Sequence, residues 1–408
     1  MGIGAALAAS TLILAACSSG TTEETTSAAP STTAATDASL TIWVDENRQP
    51  AVEAAAAAFE EETGAQVELV VKNFEDIRAD FIAQVPTGEG PDITVGAHDW
   101  LGALVTAGVV NTVDLGDKAA EFEQVGLDAF SYDGQLYGLP YALEAVALVQ
   151  NTALVGTEAP ATWDDMIAAG QASGAEMPVV INVNSPTGDG YTSYGLQTSF
   201  GAPIFVQDES GSYTSDLGFA GEEGFGFAQW LSDQATAGYY DFDVTYDINI
   251  SLFSEGKAAY TIQGPWAISA FQEAGIDVAV NPIPSAGGQT ASPFVGVQGF
   301  YVSSQSENAL LANEFLTTYM ATEEAQQALY DADPRIPAFK SVAAKAAEDP
   351  VIAGFIASAN AGVPMPNIPE MGDVWEFWNA AEAKIIQGED PTASWQAFID
   401  QLTAKLEG

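Results

Sequence analysis

The chain has 408 residues, 47% of them hydrophobic, with 56 acidic side chains against 10 basic ones and a formal net charge of −46. That length exceeds one ordinary core and predicts two folded lobes, and the apolar content excludes disorder over most of the chain. The charge excludes nucleic acid and anionic lipid as partners, since both are polyanions, and favours a neutral or cationic ligand.

The chain opens with an apolar run at 3–16, too short to span a bilayer, which ends in "LAAC" at 14–17 and is followed by "SSG". This pattern resembles a bacterial lipoprotein signal: residues 1–17 form the signal segment, and Cys17 carries the lipid after cleavage. No Lys or Arg precedes the run, although such signals begin with a basic segment. Cys17 is the chain's one cysteine, so no internal disulfide forms. Residues 18–38 are rich in Ser, Thr and Ala without a large apolar side chain, the composition of a flexible tether. The chain is therefore expected outside the cell membrane, held by its lipid alone.

Strand and helix then alternate. "SLTIWV" (39–44) reads as a strand, and 50–64 as a helix with Pro50 near its start and Gly64 as its stop. A strand at 65–71, a helix at 74–85 and a strand at 90–96 follow. Near-continuous apolar strands separated by helices predict an α/β fold of mostly parallel sheets flanked by helices. A strand-rich crossover is expected at 130–150, and a helix capped by Thr162 after it. Further strands fall at 177–183, in the second half of 251–266, at 277–284 and at 294–303. From Ser306 the pattern is mostly helical, broken at 331–339 and near 360–372. We expect one lobe from 39–143 plus 297–348 and a second from 144–296 plus 349–408, with several crossovers forming a hinge and a cleft.

The wording and order of these segments resemble the maltose/maltodextrin-binding proteins of bacterial ABC importers. The phrases that carry the resemblance are "LTIWV", "FEEETGAQV", "TGEGPDI", "AHD", "YDGQLYGLPYALEAVAL", "PATWDDM", "EGKAAYTIQGPWA", "SPFVGV" and "MPNIPEM", spread over nearly all of 40–408. The resemblance implies a two-lobe periplasmic-binding-protein-like fold of type II, a monomer, and a membrane permease as partner. It implies sugar contacts from Asn47 and Arg48 in "DENRQ", Asp99 in "AHD", Glu144 in "LPYALEA", Asp189 and Tyr191 in "TGDGY", Trp266 in "GPW", and Met365 and Trp375 in "MPNIPEMGDVW". Three positions depart from the pattern. Gly96 stands where an aromatic is familiar, and Trp100 and Asn379 stand at familiar arginines. Trp100 is expected to supply the aromatic missing at position 96.

The chemistry agrees with the resemblance. A pyranose ring offers C–H faces to flat indoles and a hydroxyl rim to carboxylates and amides. About five hydrogen bonds and two or three stacked rings, at roughly 1 kcal/mol each, reach the micromolar range that suits capture and release. No cofactor or catalysis is expected. His98, the only histidine, has no second histidine or thiol to share a metal. The other readings open at this point are a binder of another oligosaccharide or polyol, a secreted glycoside hydrolase, and an adhesin or scaffold.

Overall fold

A computed structural model describes residues 39–208 and 213–407. The expected signal segment, Cys17 and the tether lie outside these residues.

The first sheet is built around the buried, ten-residue strand Phe294–Ser303. In order across the sheet stand Ile336–Pro337, Gly138–Glu144, Phe294–Ser303, Ile93–Ala97, Ser39–Val44 and Gln66–Val71. Two short strands, Val110–Asn111 and Val363–Pro364, pair with the two ends of Phe294–Ser303. The second sheet runs Val278–Asn281, Ala147–Asn151, Ala258–Gln263 and Met177–Val180. The chain passes from the first sheet to the second between Glu144 and Ala147.

The α/β alternation is as read from the sequence, but the sheets are mixed rather than mostly parallel. Ser39–Val44 is parallel to both Gln66–Val71 and Ile93–Ala97, as successive strand–helix–strand units require. Phe294–Ser303, however, runs antiparallel to Ile93–Ala97 and to Gly138–Glu144. Ala147–Asn151 is antiparallel to both of its neighbours. The reason lies in the crossings. A strand that leaves one half, or returns to it, enters the sheet without a preceding crossover helix, so nothing enforces the parallel sense.

Local signals fix the helix ends. Gln49–Thr63 carries Pro50 in its first turn and stops on Gly64, whose φ of 75° is open to glycine without strain. Thr162 caps Trp163–Ser173 by accepting from the Asp165 amide, as expected. Apolar packing does the rest. Phe59 meets Phe315 and Tyr319 edge-on under the first sheet. Around the second, Trp163, Trp378 and Trp395 are fully buried, and Phe219 stacks on Phe398 at 4.3 Å.

Candidate functional site

The site is assembled where the chain crosses between the two sheets. Three segments of the first sheet's half supply polar groups. After Ser39–Val44, Asp45 turns the chain by accepting from the Asn47 amide at 2.9 Å and from the Arg48 amide at 3.3 Å. Arg48 is buried, donates Nη1 to Asp45 at 2.7 Å, hydrogen-bonds the Tyr141 hydroxyl through Nε, and lies over the Phe74 ring at 5.0 Å. Its planar donors are thus held by protein groups, whereas Asn47 is exposed. Burial pushes the Tyr141 hydroxyl up to about 12, against the opposing charges of Arg48 and Arg335.

At the end of Ile93–Ala97 the chain makes a tight turn, His98–Trp100, into the helix Leu101–Thr106. His98 is fully buried. Its Nε2 lies 2.9 Å from the Met365 carbonyl, and its Nδ1 lies 3.0 Å from the Val297 amide nitrogen. A carbonyl only accepts and an amide only donates, so the ring is neutral with its proton on Nε2. Asp99, beside it, stays partly exposed. Burial raises its pKa, while the Arg78 guanidinium works against the rise. Trp100 turns inward, is 8% exposed, and packs on Phe74 at 5.1 Å. It does fill the space beside position 96: a Cβ on Gly96 would stand 2.8 Å from its indole.

Glu144, the last residue of Gly138–Glu144, forms an ion pair with Arg335, which also donates Nε to Asp333 at 2.8 Å. Asp333 in turn stands 3.9 Å from Arg48. Asp45, Arg48, Asp333, Arg335 and Glu144 therefore form one chain of alternating charge at the crossing.

The second half supplies aromatic surface. Trp266 sits on the turn Pro265–Ala267 directly after Ala258–Gln263, partly exposed, its ring 6.4 Å from that of Tyr191. The indole folds back over Gly264, where a Cβ would lie 2.2 Å from the ring, so this glycine makes room for it. Trp375, on helix Met371–Ile386, is stacked against the buried Trp378 at 5.6 Å and 29°, with its outer side partly exposed. Met365 is 8% exposed and presents its carbonyl to His98. Burial raises the Tyr191 pKa, and Glu144, Asp189 and Asp99 raise it further against Arg335. The hydroxyl of this second-half residue is thus within electrostatic reach of both first-half carboxylates.

Asp189, partly exposed, also has a structural task. It caps helix Gly190–Thr198, accepting from the Thr192 amide at 3.1 Å, the Thr192 hydroxyl at 2.8 Å, Asn184 at 2.9 Å, and Asn182. Its oxygens are occupied by four protein donors, and burial still pushes its pKa up to about 6. Asn379 accepts from the Gly190 amide at 2.9 Å and so braces the same turn. Of the ten candidates, Asp99, Glu144, Tyr191, Trp266 and Trp375 present partly open or crossing-facing groups. Arg48, Trp100, Met365 and Asp189 are engaged in packing or internal hydrogen bonds, and Asn47 is exposed.

Sequence reasoning missed Asp45, Arg78, Tyr141, Asp333 and Arg335. One signal was available: the chain contains three arginines, Arg48, Arg78 and Arg335, among its 10 basic residues. Among the described residues no cluster of three or more acidic, His or Cys side chains is arranged to hold a metal, and no helix is long and apolar enough to cross a membrane.

Residues 54–354 match the family model described as bacterial extracellular solute-binding protein. The galactooligosaccharide-binding protein of Bacillus subtilis is 31% identical over 392 residues, covering 91% of this chain and 89% of its own. The maltodextrin-binding protein MdxE of the same organism is 31% identical over 354 residues, covering 82% of each. In three dimensions the chain is similar to a cyclo/maltodextrin-binding protein crystallised with maltotetraose, with a TM-score of 0.81 and 31% identity over 90% of this chain and 97% of that one. The two sheets are accordingly the two lobes of a type II binding-protein fold, and the chain belongs to the bacterial extracellular solute-binding protein family.

Proposed function

We propose that this protein captures maltodextrins in the cleft between its lobes and delivers them to an ABC permease. The observation that carries the reading is that Tyr191, paired with Trp266, is within electrostatic reach of the Asp99 and Glu144 carboxylates, with the partly exposed Trp375 in the same half as the pair. Indole faces suit the C–H faces of a glucan, and carboxylates suit its hydroxyls. Asn47, exposed at the edge of the same turn, is a further hydrogen-bonding group in this reading. Lobe boundaries at 39–143 plus 297–348 and 144–296 plus 349–408 fit a hinge at the crossing strands. Cys17 as lipid anchor, with 18–38 as tether, fits delivery at the outer face of a membrane by a monomeric binding protein.

A hydrolase reading is less well supported. Glycoside cleavage needs a protonated carboxyl beside the scissile bond, and Glu144 is held in an ion pair with Arg335. Galactooligosaccharides remain the second ligand class, since a relative of equal identity is named for them. Titration calorimetry against maltotriose, maltotetraose and a galactotetraose tests both. Micromolar binding of the glucans with unchanged sugar afterwards is expected. Tighter binding of the galactan would replace the ligand, and product sugars in the recovered sample would sink the transport reading.

A further inference from the structure

This 408-residue, strongly acidic chain has three arginines, and two of them stand at the crossing between the lobes. Arg48 and Arg335 are ion-paired there, with Asp45 and Asp333 and with Glu144 and Asp333 respectively. Arg78 differs. It has no ion pair within 4.0 Å among the described side chains, yet its charge acts on Asp99 and on Tyr301.

Its position follows from the helix Phe74–Gln84. Phe74, Ile77, Arg78 and Phe81 fall at i, i+3, i+4 and i+7, one face of the helix. Phe74 packs on Trp100 at 5.1 Å, and Phe81 meets Trp43 edge-on at 6.3 Å. The face that carries Arg78 is therefore packed on the first lobe through its aromatic residues, with Arg78 itself partly exposed. The guanidinium reaches Gly372, where a Cβ would stand 3.6 Å from Nη2. Gly372 is the second residue of Met371–Ile386 and lies one turn before Trp375. A cation at a helix N-terminus is disfavoured by the helix dipole, so the dipole is not what holds Arg78 there.

We propose that Arg78 is a ligand-contacting, specificity-determining residue, its guanidinium and the Asp99 carboxylate forming a donor–acceptor pair for neighbouring hydroxyls of a neutral sugar beside Trp375. This inference rests on the carbohydrate reading above. A vicinal diol suits the pair: one hydroxyl donates to the carboxylate while its neighbour accepts from the guanidinium, both with charge assistance. The pairing also has a pH signature. Asp99 faces Arg78 from Phe74–Gln84, His98 from its own turn, Glu144 from the crossing strand, Tyr301 from Phe294–Ser303 and Tyr191 from the second lobe. His98 is locked neutral by its two backbone partners, so Arg78 is the permanent positive charge among them. Without it, Asp99 takes up a proton at higher pH and loses its acceptor strength earlier on acidification.

The test is calorimetry with maltotetraose on the wild type, Arg78→Gln and Arg78→Lys at pH 8 and pH 5, together with ligand-free melting. A charge-assisted hydrogen bond corresponds to a loss of about tenfold or more in affinity for Arg78→Gln at pH 8. A larger loss is expected at pH 5, partial recovery in Arg78→Lys, and an unchanged ligand-free melting temperature. Arg78→Gln binding within about twofold of wild type at both pH values overturns the inference. So does an equal loss at both pH values that tracks a lowered melting temperature, which would make Arg78 structural. Failure of the wild type to bind any glucan would overturn the carbohydrate reading and this inference with it, whereas a binding wild type with an unaffected Arg78→Gln overturns this inference alone.

Discussion

Glu382, on the helix that carries Trp375, is a carboxyl group 1% exposed with its Oε1 unpartnered among the described residues. Burial first, and the nearby Asp189 second, push its pKa up to about 8, against hydrogen bonds from Trp378 and Ser193. The group is therefore protonated at neutral pH. A folded pKa above the unfolded value of 4.5 means that its stability contribution is full below about 4.5 and is lost as pH rises through about 8. Glu382→Gln keeps the shape and removes the titration. Its melting temperature should match wild type near pH 4.5 and exceed it by several degrees at pH 8.5, read by calorimetry; parallel curves would mean that Glu382 stays charged. Trp266 answers a different question at the same scale. Its ring lies against Tyr191 and Gly264 and stays partly exposed, and removing it should weaken maltotetraose binding by about 1–3 kcal/mol with little change in melting. Equal affinity in Trp266→Ala would mark the indole as packing. The partly exposed turn position of Trp266 was legible in the sequence because a large ring directly behind Gly264-Pro265 has no core strand to join. Arg78 was not, because an arginine on an amphipathic helix reads as a solvated charge until the partner of that face is known. Asp189 was legible only in part for a related reason: an acid before a helix serves a cap or a ligand equally well, and the four donors that hold it establish the cap.

At the scale of elements, the segment 365–371 runs from the strand Val363–Pro364 to the helix Met371–Ile386, and its docking on the first sheet's half is tight. His98 holds the Met365 carbonyl, Asn367 donates to the carbonyls of Ala129 at 3.3 Å and Ser131 at 3.0 Å, and Gly102 lies flat against the segment. A Cβ on Gly102 would meet the Asn367 carbonyl oxygen at 2.5 Å and the Pro369 nitrogen at 2.7 Å, both backbone atoms that cannot swing aside. Gly102→Ala should therefore cost about 1–3 kcal/mol of stability by overpacking. It should also weaken sugar binding, because Met371–Ile386 and its Trp375 begin where this segment ends. Denaturant unfolding and calorimetry read the two effects, and unaltered values in both would show that the segment gives way freely. The alternation of strands and helices told of an α/β fold, since apolar periodicity is a local property. The antiparallel sense of Phe294–Ser303 was hidden, because direction in a sheet depends on how the chain crosses between lobes and no local pattern encodes that.

For the whole molecule, the dominant fact is a net charge of −46 carried largely on solvated faces such as Glu60 to Glu62. Like charges in this density repel one another in the folded state more than in the expanded one, so the compact form is under electrostatic tension at low salt. Screening shortens the range of that repulsion from about 30 Å at 0.01 M to about 3 Å at 1 M. Melting temperature should accordingly climb by several degrees between those salt concentrations. The cleft stands apart from this response. Arg48 and Arg335 balance the acids at the crossing in partly or fully buried pairs, which salt screens far less than exposed charges. A neutral glucan also brings no charge for the protein's field to act on. The dissociation constant for maltotetraose should therefore change less than about twofold over the same range. Measured together, the two quantities separate surface from site. Affinity that rose tenfold or more with salt would reveal a negatively charged ligand held off by the acidic surface, and the neutral-sugar reading would fall while the fold and its salt-dependent melting stood.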